Sequence, residues 1–146
     1  MTGTVNLAKT LDVWLDAART VLKKCGVNLS DRTIAISFGA FRAMWKVWGV
    51  NDADAALLEA DALAKKVLPD VELYPDTLEV LEALNAKGKQ LALITTSRHD
   101  NIQHLLDKYN LNTFFRVIIA GDDIMHYKPH PESLKKALKA LDGNPT

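Results

Sequence analysis

Two residues suited to holding a phosphate group follow two apolar runs of the sequence. Thr95 comes directly after the run 91–94, and Lys128 opens Lys128-Pro129-His130-Pro131 shortly after a second run, 117–120. Positions 95 and 128 lie 33 residues apart (128 − 95), which leaves room for one helix between two adjacent parallel strands. Ligands bind in open α/β sheets beyond the carboxyl ends of such strands. A hydroxyl and an ammonium there suit a phosphate.

The neighbours of these residues strengthen the prediction. Thr96 and Ser97 fall where the next helix begins, so their backbone N–H groups can help Thr95 to bind an anion. Pro129 and Pro131 make the loop rigid and fix the direction of Lys128. Taken singly, a threonine at a strand end is usually structural and a lysine is usually a solvated surface charge. The prediction rests on their combination.

Residues 6–70 read as a small helical bundle. Their apolar residues recur at helical spacing in three segments. Gly26 and Pro69 end two of them, and Ser30 or Asp31 and Asn51 or Asp52 can start the second and third. Because all three tryptophans fall on these stripes, we expect them to pack the bundle. The stripes are Leu7, Leu11, Trp14, Leu15, Ala18, Val21 and Leu22; Ile34, Phe38, Phe41, Trp45 and Trp48; and Leu57, Ala60, Ala64 and Val67.

The pattern changes in residues 71–146, where predicted helices and strands alternate as α-β-α-β-α. The expected strands are 90–95 and 117–120, and the last helix begins near Pro131. The fold class is therefore α/β, with a parallel sheet covered by helices. Two strands make only part of such a sheet, so we expect exposed strand edges that allow self-association.

Composition excludes several classes of partner. Eighteen basic residues balance eighteen acidic ones over 146 residues, so no net field attracts nucleic acid or an anionic membrane. The first residues lack the pattern of a signal peptide and no stretch reaches membrane-spanning length, which predicts a cytoplasmic protein. Cys25 has no second cysteine with which to form an internal disulfide, and we interpret it as structural or incidental.

Thr95, the Lys-Pro-x-Pro segment and the preceding helical segment together resemble the haloacid dehalogenase (HAD) superfamily, in its phosphoglycolate phosphatase and β-phosphoglucomutase-like branch. The resemblance covers almost the whole chain. It implies a partial Rossmann-like core, residues 1–5 and 71–146, with an inserted all-helical cap, residues 6–70. In this family the threonine and lysine grip the phosphoryl group.

The same resemblance implies a magnesium-dependent phosphatase of a small phosphorylated metabolite that works through an aspartyl phosphate. Thr2-Gly3-Thr4 fits the end of the family's Asp-x-Asp-Gly-Thr motif, with Thr2 replacing the second acid. Threonine cannot serve as a carboxylic acid, although its backbone carbonyl stands at the place of a Mg²⁺ ligand. The nucleophile would precede Met1 and the acidic metal motif would follow Thr146. We therefore expect the chain as given to be inactive.

Several alternatives stay open. A degenerate, non-catalytic interaction module of the same fold also predicts loss of the nucleophile, and Thr95 and Lys128 do not separate a phosphatase from a haloacid dehalogenase. Arg42 in the cap can contact a substrate, although a surface salt bridge is the commoner role. Asp122 and Asp123 precede Lys128, so a turn or helix cap suits them better than a metal site. The four histidines lack the spacing of a four-histidine metal site.

Overall fold

The computed structural model describes residues 7–38 and 40–141. Thr2, Gly3 and Thr4, on which part of the resemblance depends, lie outside the described residues. The chain divides into two compact units. We call Lys9–Val71 the helical unit, and the described parts of Met1–Ala8 and Glu72–Thr146 the sheet unit. That the helical unit is a cap stays a prediction.

The helical unit is built around one apolar cluster. The cluster contains four side chains that are fully buried or nearly so, Val21, Leu22, Ile34 and Trp45. They pack against a face of the fourth helix that is made of small alanines. Alanine combines the highest helix propensity with little bulk, which lets neighbouring helices approach closely. The helices of this unit are α1 (Leu11–Lys24), α2 (Asp31–Ile36), α3 (Phe41–Val47) and α4 (Ala53–Val67), followed by a 3-10 turn at Leu68–Asp70.

The second predicted helix is in fact two. The sequence pattern favoured one helix across residues 31–48, but α2 and α3 are separate elements. Ser37 is fully buried and its hydroxyl donates to the carbonyl of Ile34 at 2.6 Å, ending α2. A serine that bonds to the preceding turn competes with the helix, and the sequence has a glycine at position 39, a poor helix former.

The sheet unit confirms the predicted alternation. Its two strands are parallel, with Leu93 opposite Ile118 and Ile94 opposite Ile119. A helix joins them, as the spacing required. The elements are α5 (Thr77–Ala86), β1 (Leu91–Ile94), α6 (His99–Lys108), β2 (Phe115–Ile119) and α7 (Glu132–Ala140), with 3-10 turns at Leu111–Thr113 and Gly121–Asp123.

One face of the strand pair is covered by α7. Ala137 of this helix is buried against Ile119 and Ile124, and side chains of both strands complete the cluster. Earlier in the unit, Thr77 Oγ1 donates to the carbonyl of Leu7 at 3.0 Å. Because β1 and β2 are parallel neighbours, their carboxyl ends lie side by side. Within residues 7–38 and 40–141, every helix is too short or too polar to span a bilayer.

Candidate functional site

Thr95 occupies the end of β1 in a fixed position. Its N–H donates to the carbonyl of Ile119 at 3.0 Å, extending the ladder one residue beyond Ile94. Its Oγ1 accepts the N–H of Ser97 at 3.1 Å. The turn after β1 thus fixes the position of the hydroxyl oxygen through the N–H of Ser97. The hydroxyl hydrogen remains available to donate to another acceptor.

Lys128 reaches the same strand end from a distant part of the chain. Its Nζ donates at 3.2 Å to the carbonyl of Ile94, the residue before Thr95. The predicted partners, a threonine hydroxyl and a lysine ammonium, are thus brought to one end of β1. The lysine is exposed, so its charge is open to solvent and to an anion.

The turn after β1 also contacts the turn after β2. Gly121 donates its N–H to the carbonyl of Ser97 at 2.8 Å. A Cβ at position 121 would lie 2.2 Å from the carbonyl oxygen of Thr96, closer than any real contact, so only glycine fits here. The turn after β2 therefore braces the predicted phosphate residues Thr96 and Ser97. The expectation that the next helix begins at these two residues is wrong, because α6 begins at His99. The Ser97 N–H, already bonded to Thr95, must share or exchange that bond to reach a phosphate oxygen.

Asp122 and Asp123 tie this second turn to α6. Asp122 Oδ1 accepts the N–H of His99, the first residue of that helix, at 3.1 Å, which is the predicted capping role. Asp123 Oδ2 accepts the N–H of Ala120 and lies 2.8 Å from His99 Nε2. The Ala120 N–H and then the His99 imidazole hold the pKa of Asp123 below its usual range. The contact between the His99 ring and Asp123 was not predicted from the sequence.

Glu132 organises the loop that carries Lys128. Glu132 is the first residue of α7. Its carboxylate accepts the N–H groups of Met125 and His126 and lies 3.0 Å from His126 Nδ1. Lys136, one helical turn further on, is 2.9 Å away. The ammonium of Lys136, followed by the Met125 N–H and the His126 groups, lowers the pKa of Glu132 to about 2. This role of Glu132 was not predicted from the sequence, although the sequence places Glu132 six residues after His126 and two after His130.

The remaining predicted site residues are Arg42 and Thr2. Arg42 is exposed in α3 and forms a salt bridge with Asp54 in α4, the commoner role considered above. A substrate contact by Arg42 stays a prediction. Thr2 and its predicted backbone contact to Mg²⁺ lie outside the described residues.

Among residues 7–38 and 40–141, two groups of side chains place three metal-binding atoms close together, and neither suits Mg²⁺. In the group of His99, Asp122 and Asp123, one oxygen of each carboxylate already accepts a backbone N–H, and the third donor is a nitrogen. The group of His126, His130 and Glu132 offers two nitrogen donors, whereas Mg²⁺ prefers oxygen.

Comparison with known proteins agrees with this geometry. The profile of the family described as haloacid dehalogenase-like hydrolase matches residues 4–146. Pyrophosphatase PpaX from Bacillus mycoides (strain KBAB4) is 37% identical over 75 residues, or 51% of this chain. Those residues span only 35% of the length of PpaX.

Solved structures show the same fold. A protein designated a haloacid dehalogenase-like hydrolase, from Bacteroides fragilis, matches with a TM-score of 0.77 and 27% identity over 95% of this chain and 70% of its own. A protein designated a phosphoglycolate phosphatase, from Lactobacillus plantarum, matches with a TM-score of 0.80 and 22% identity, covering 96% of this chain and 69% of its own. These findings confirm the resemblance and the fold class. The chain belongs to the haloacid dehalogenase-like hydrolase family.

Proposed function

We propose that this chain carries the phosphate-gripping residues of a phosphatase that acts on a small phosphorylated metabolite through an aspartyl-phosphate intermediate. The observation that supports the proposal best is the bond from Lys128 Nζ to the carbonyl of Ile94, which brings the ammonium beside Thr95. Two chain segments 33 residues apart (128 − 95) thus present a cation and a hydroxyl at one strand end.

Phosphoryl transfer depends mainly on positioning and on neutralising charge at the phosphoryl oxygens. In the proposed site the Thr95 hydroxyl donates to one of these oxygens. The Lys128 ammonium neutralises a second and leaves the Ile94 carbonyl when the anion arrives. The N–H of Thr96, in the turn between β1 and α6, adds a further donor. None of these residues acts as a nucleophile in this scheme, so an aspartate of the family motif would have to form the covalent bond.

The relatives support the substrate class. PpaX is named as a pyrophosphatase and the Lactobacillus plantarum structure as a phosphoglycolate phosphatase, and both names denote release of phosphate from a small molecule. We extend that class to this chain, with magnesium as the expected cofactor, bound by residues outside those described. Arg42 is the proposed substrate contact of the helical unit, which requires release from Asp54.

Phosphate binding can be tested without catalysis. Inorganic phosphate titrated into ¹⁵N-labelled protein, followed by NMR, should shift the amide signals of Thr96 and Ser97 in a saturable manner. Lys128→Met should abolish the shifts, while Lys128→Arg, which keeps the charge, should retain most of the affinity. Potassium chloride at matched ionic strength controls for a general salt effect. Unshifted Thr96 and Ser97 amides in the wild-type protein would refute the phosphate site and favour the non-catalytic module.

We also propose that a polypeptide of these 146 residues alone is inactive, since its sequence contains no Asp-x-Asp-Gly-Thr motif. Neither p-nitrophenyl phosphate with Mg²⁺ nor 2-chloropropionate should be hydrolysed. Turnover of the phosphate ester above a heat-denatured control would overturn the proposed inactivity. Turnover of the haloacid would overturn it as well and would support the dehalogenase alternative.

Self-association is the remaining proposal on partners. Among the described residues, β1 and β2 pair only with each other, so each presents one edge without a partner strand. Unpaired edges template pairing with another chain. Light scattering across a concentration series should show a mass that rises with concentration. A constant monomer mass would count against association through these edges.

A further inference from the structure

Two exposed histidines flank the lysine of the phosphate site, and each contacts Glu132, His126 through the carboxylate and His130 through the backbone N–H. His126 and His130 stand two residues before and after Lys128, with ring centroids 4.5 Å apart. Glu132 Oε2 lies 3.0 Å from His126 Nδ1, and the Glu132 N–H donates to His130 Nδ1 at 3.3 Å. One metal-binding atom from each of the three lies within 4.8 Å of the other two. We call these residues the His-His-Glu cluster.

We propose that the His-His-Glu cluster binds a divalent first-row transition metal ion, with Zn²⁺ as the reference ion. Two imidazoles and one carboxylate form a donor set typical of zinc, which leaves a fourth position for water. Tetrahedral ligands of zinc stand about 3.3 Å apart, given bonds of about 2.0–2.1 Å. The His126 and Glu132 atoms are already near that separation, and the third ligand needs a side-chain rotation of the exposed His130.

The loop around the cluster favours binding because Glu132 is held before any metal arrives. Its carboxylate accepts two backbone N–H groups and pairs with Lys136, so it cannot swing away into solvent. Hydrogen bonds of this kind orient a ligand and raise metal affinity. The two imidazoles are exposed, so an ion can reach them without any rearrangement of the core.

Binding through Nδ1 of His126 requires the tautomer of the neutral ring that carries its hydrogen on Nε2, because only an unprotonated nitrogen coordinates zinc. The metal then lies between Nδ1 and Glu132 Oε2, the two atoms that are 3.0 Å apart. The cluster is separate from the proposed phosphate contacts, so its metal binding does not depend on the phosphatase proposal.

Isothermal titration calorimetry with zinc chloride tests the proposal. The protein should carry no histidine tag and should have Cys25→Ser, because this exposed thiol is another possible zinc ligand. We expect one saturable site per chain. Both His126→Ala and His130→Ala should weaken binding at least about tenfold.

His99→Ala is the matched control, since His99 belongs to the second group of three possible ligands. Its affinity for zinc should stay within about twofold of the parent. Lys128→Met, which keeps all three proposed ligands, should also bind zinc normally even where phosphate binding is lost. Cobalt substitution should give the visible absorption of a tetrahedral ion. Absent zinc binding, unchanged affinity in both His126→Ala and His130→Ala, or loss of affinity in His99→Ala would overturn the proposal.

Discussion

Gly121 fixes how closely the two turns of the proposed site approach each other. A methyl group there would meet the backbone carbonyl of Thr96, which cannot move aside as a flexible side chain can. We therefore expect Gly121→Ala to lower the free energy of unfolding by about 3 kcal/mol, the upper part of the range for overpacking. Urea denaturation measures the change.

Gly88→Ala is the control for that substitution. Gly88 has a positive φ of 66° and open space around its Cα, so an added methyl group introduces backbone strain and no clash. We expect a cost of about 1 kcal/mol. If Gly121→Ala proves no more destabilising than Gly88→Ala, the close approach of the two turns is wrong.

Glu132 should make stability depend on pH in the acidic range. Its pKa falls from 4.5 to about 2 on folding, so the ionised carboxylate stabilises the native state. This contribution is complete above pH 4.5 and is lost as the pH falls through about 2. Glu132→Gln should therefore be less stable than wild type near neutral pH, with a gap that closes towards pH 2. A gap of constant size in urea denaturation at each pH would contradict this account.

Thr95 was predictable because it directly follows an apolar run, and ligands bind beyond the carboxyl ends of parallel strands. Lys128 lies in a loop beyond the second strand, and its prediction rested on its combination with Thr95. The contact of Glu132 with His126 was not predictable in the same way. It depends on the path of the loop between Met125 and Glu132, which carries two prolines and has no periodic pattern that a sequence reading can use.

At the scale of the element, the helix ends of the helical unit differ in how they are capped. Asp52 accepts the N–H of Ala55 at 3.0 Å at the start of α4, whereas the Thr10 side chain makes no capping bond at the start of α1. Asp52→Ala should therefore cost about 1 kcal/mol, and Thr10→Ala much less. The thermal unfolding of both variants checks this. Equal losses would show that the Asp52 cap does not stabilise α4.

Element boundaries were predicted well where local chemistry marks them and poorly where it competes with the pattern. The start of α4 follows from Asp52, a residue type favoured at that position. The break between α2 and α3 was missed because the apolar stripe continues through it. Only the buried hydroxyl of Ser37, bonded to the previous turn, reveals that the helix ends there.

At the scale of the whole molecule, the helical unit has a hydrophobic core made of its own residues. Every member of the main apolar cluster, from Val13 to Ala64, lies within residues 9–71. We expect a polypeptide of residues 9–71 to be helical by circular dichroism and to unfold cooperatively, although domains of this size are only marginally stable. Trp45→Ala in that polypeptide removes a fully buried side chain and should abolish cooperative unfolding, at a cost of about 3–5 kcal/mol. A coil spectrum for the parent polypeptide would contradict an independent core.

In the proposed site, the end of β1 and the loop that carries Lys128 together hold a phosphoryl group. Tungstate, a phosphate mimic with a strong anomalous signal, allows direct observation in a crystal of the 146-residue protein. The account predicts tungstate within hydrogen-bond distance of Thr95 Oγ1 and Lys128 Nζ, and its loss in Lys128→Met crystals soaked in the same way. Tungstate bound elsewhere, with Thr95 and Lys128 empty, would contradict it.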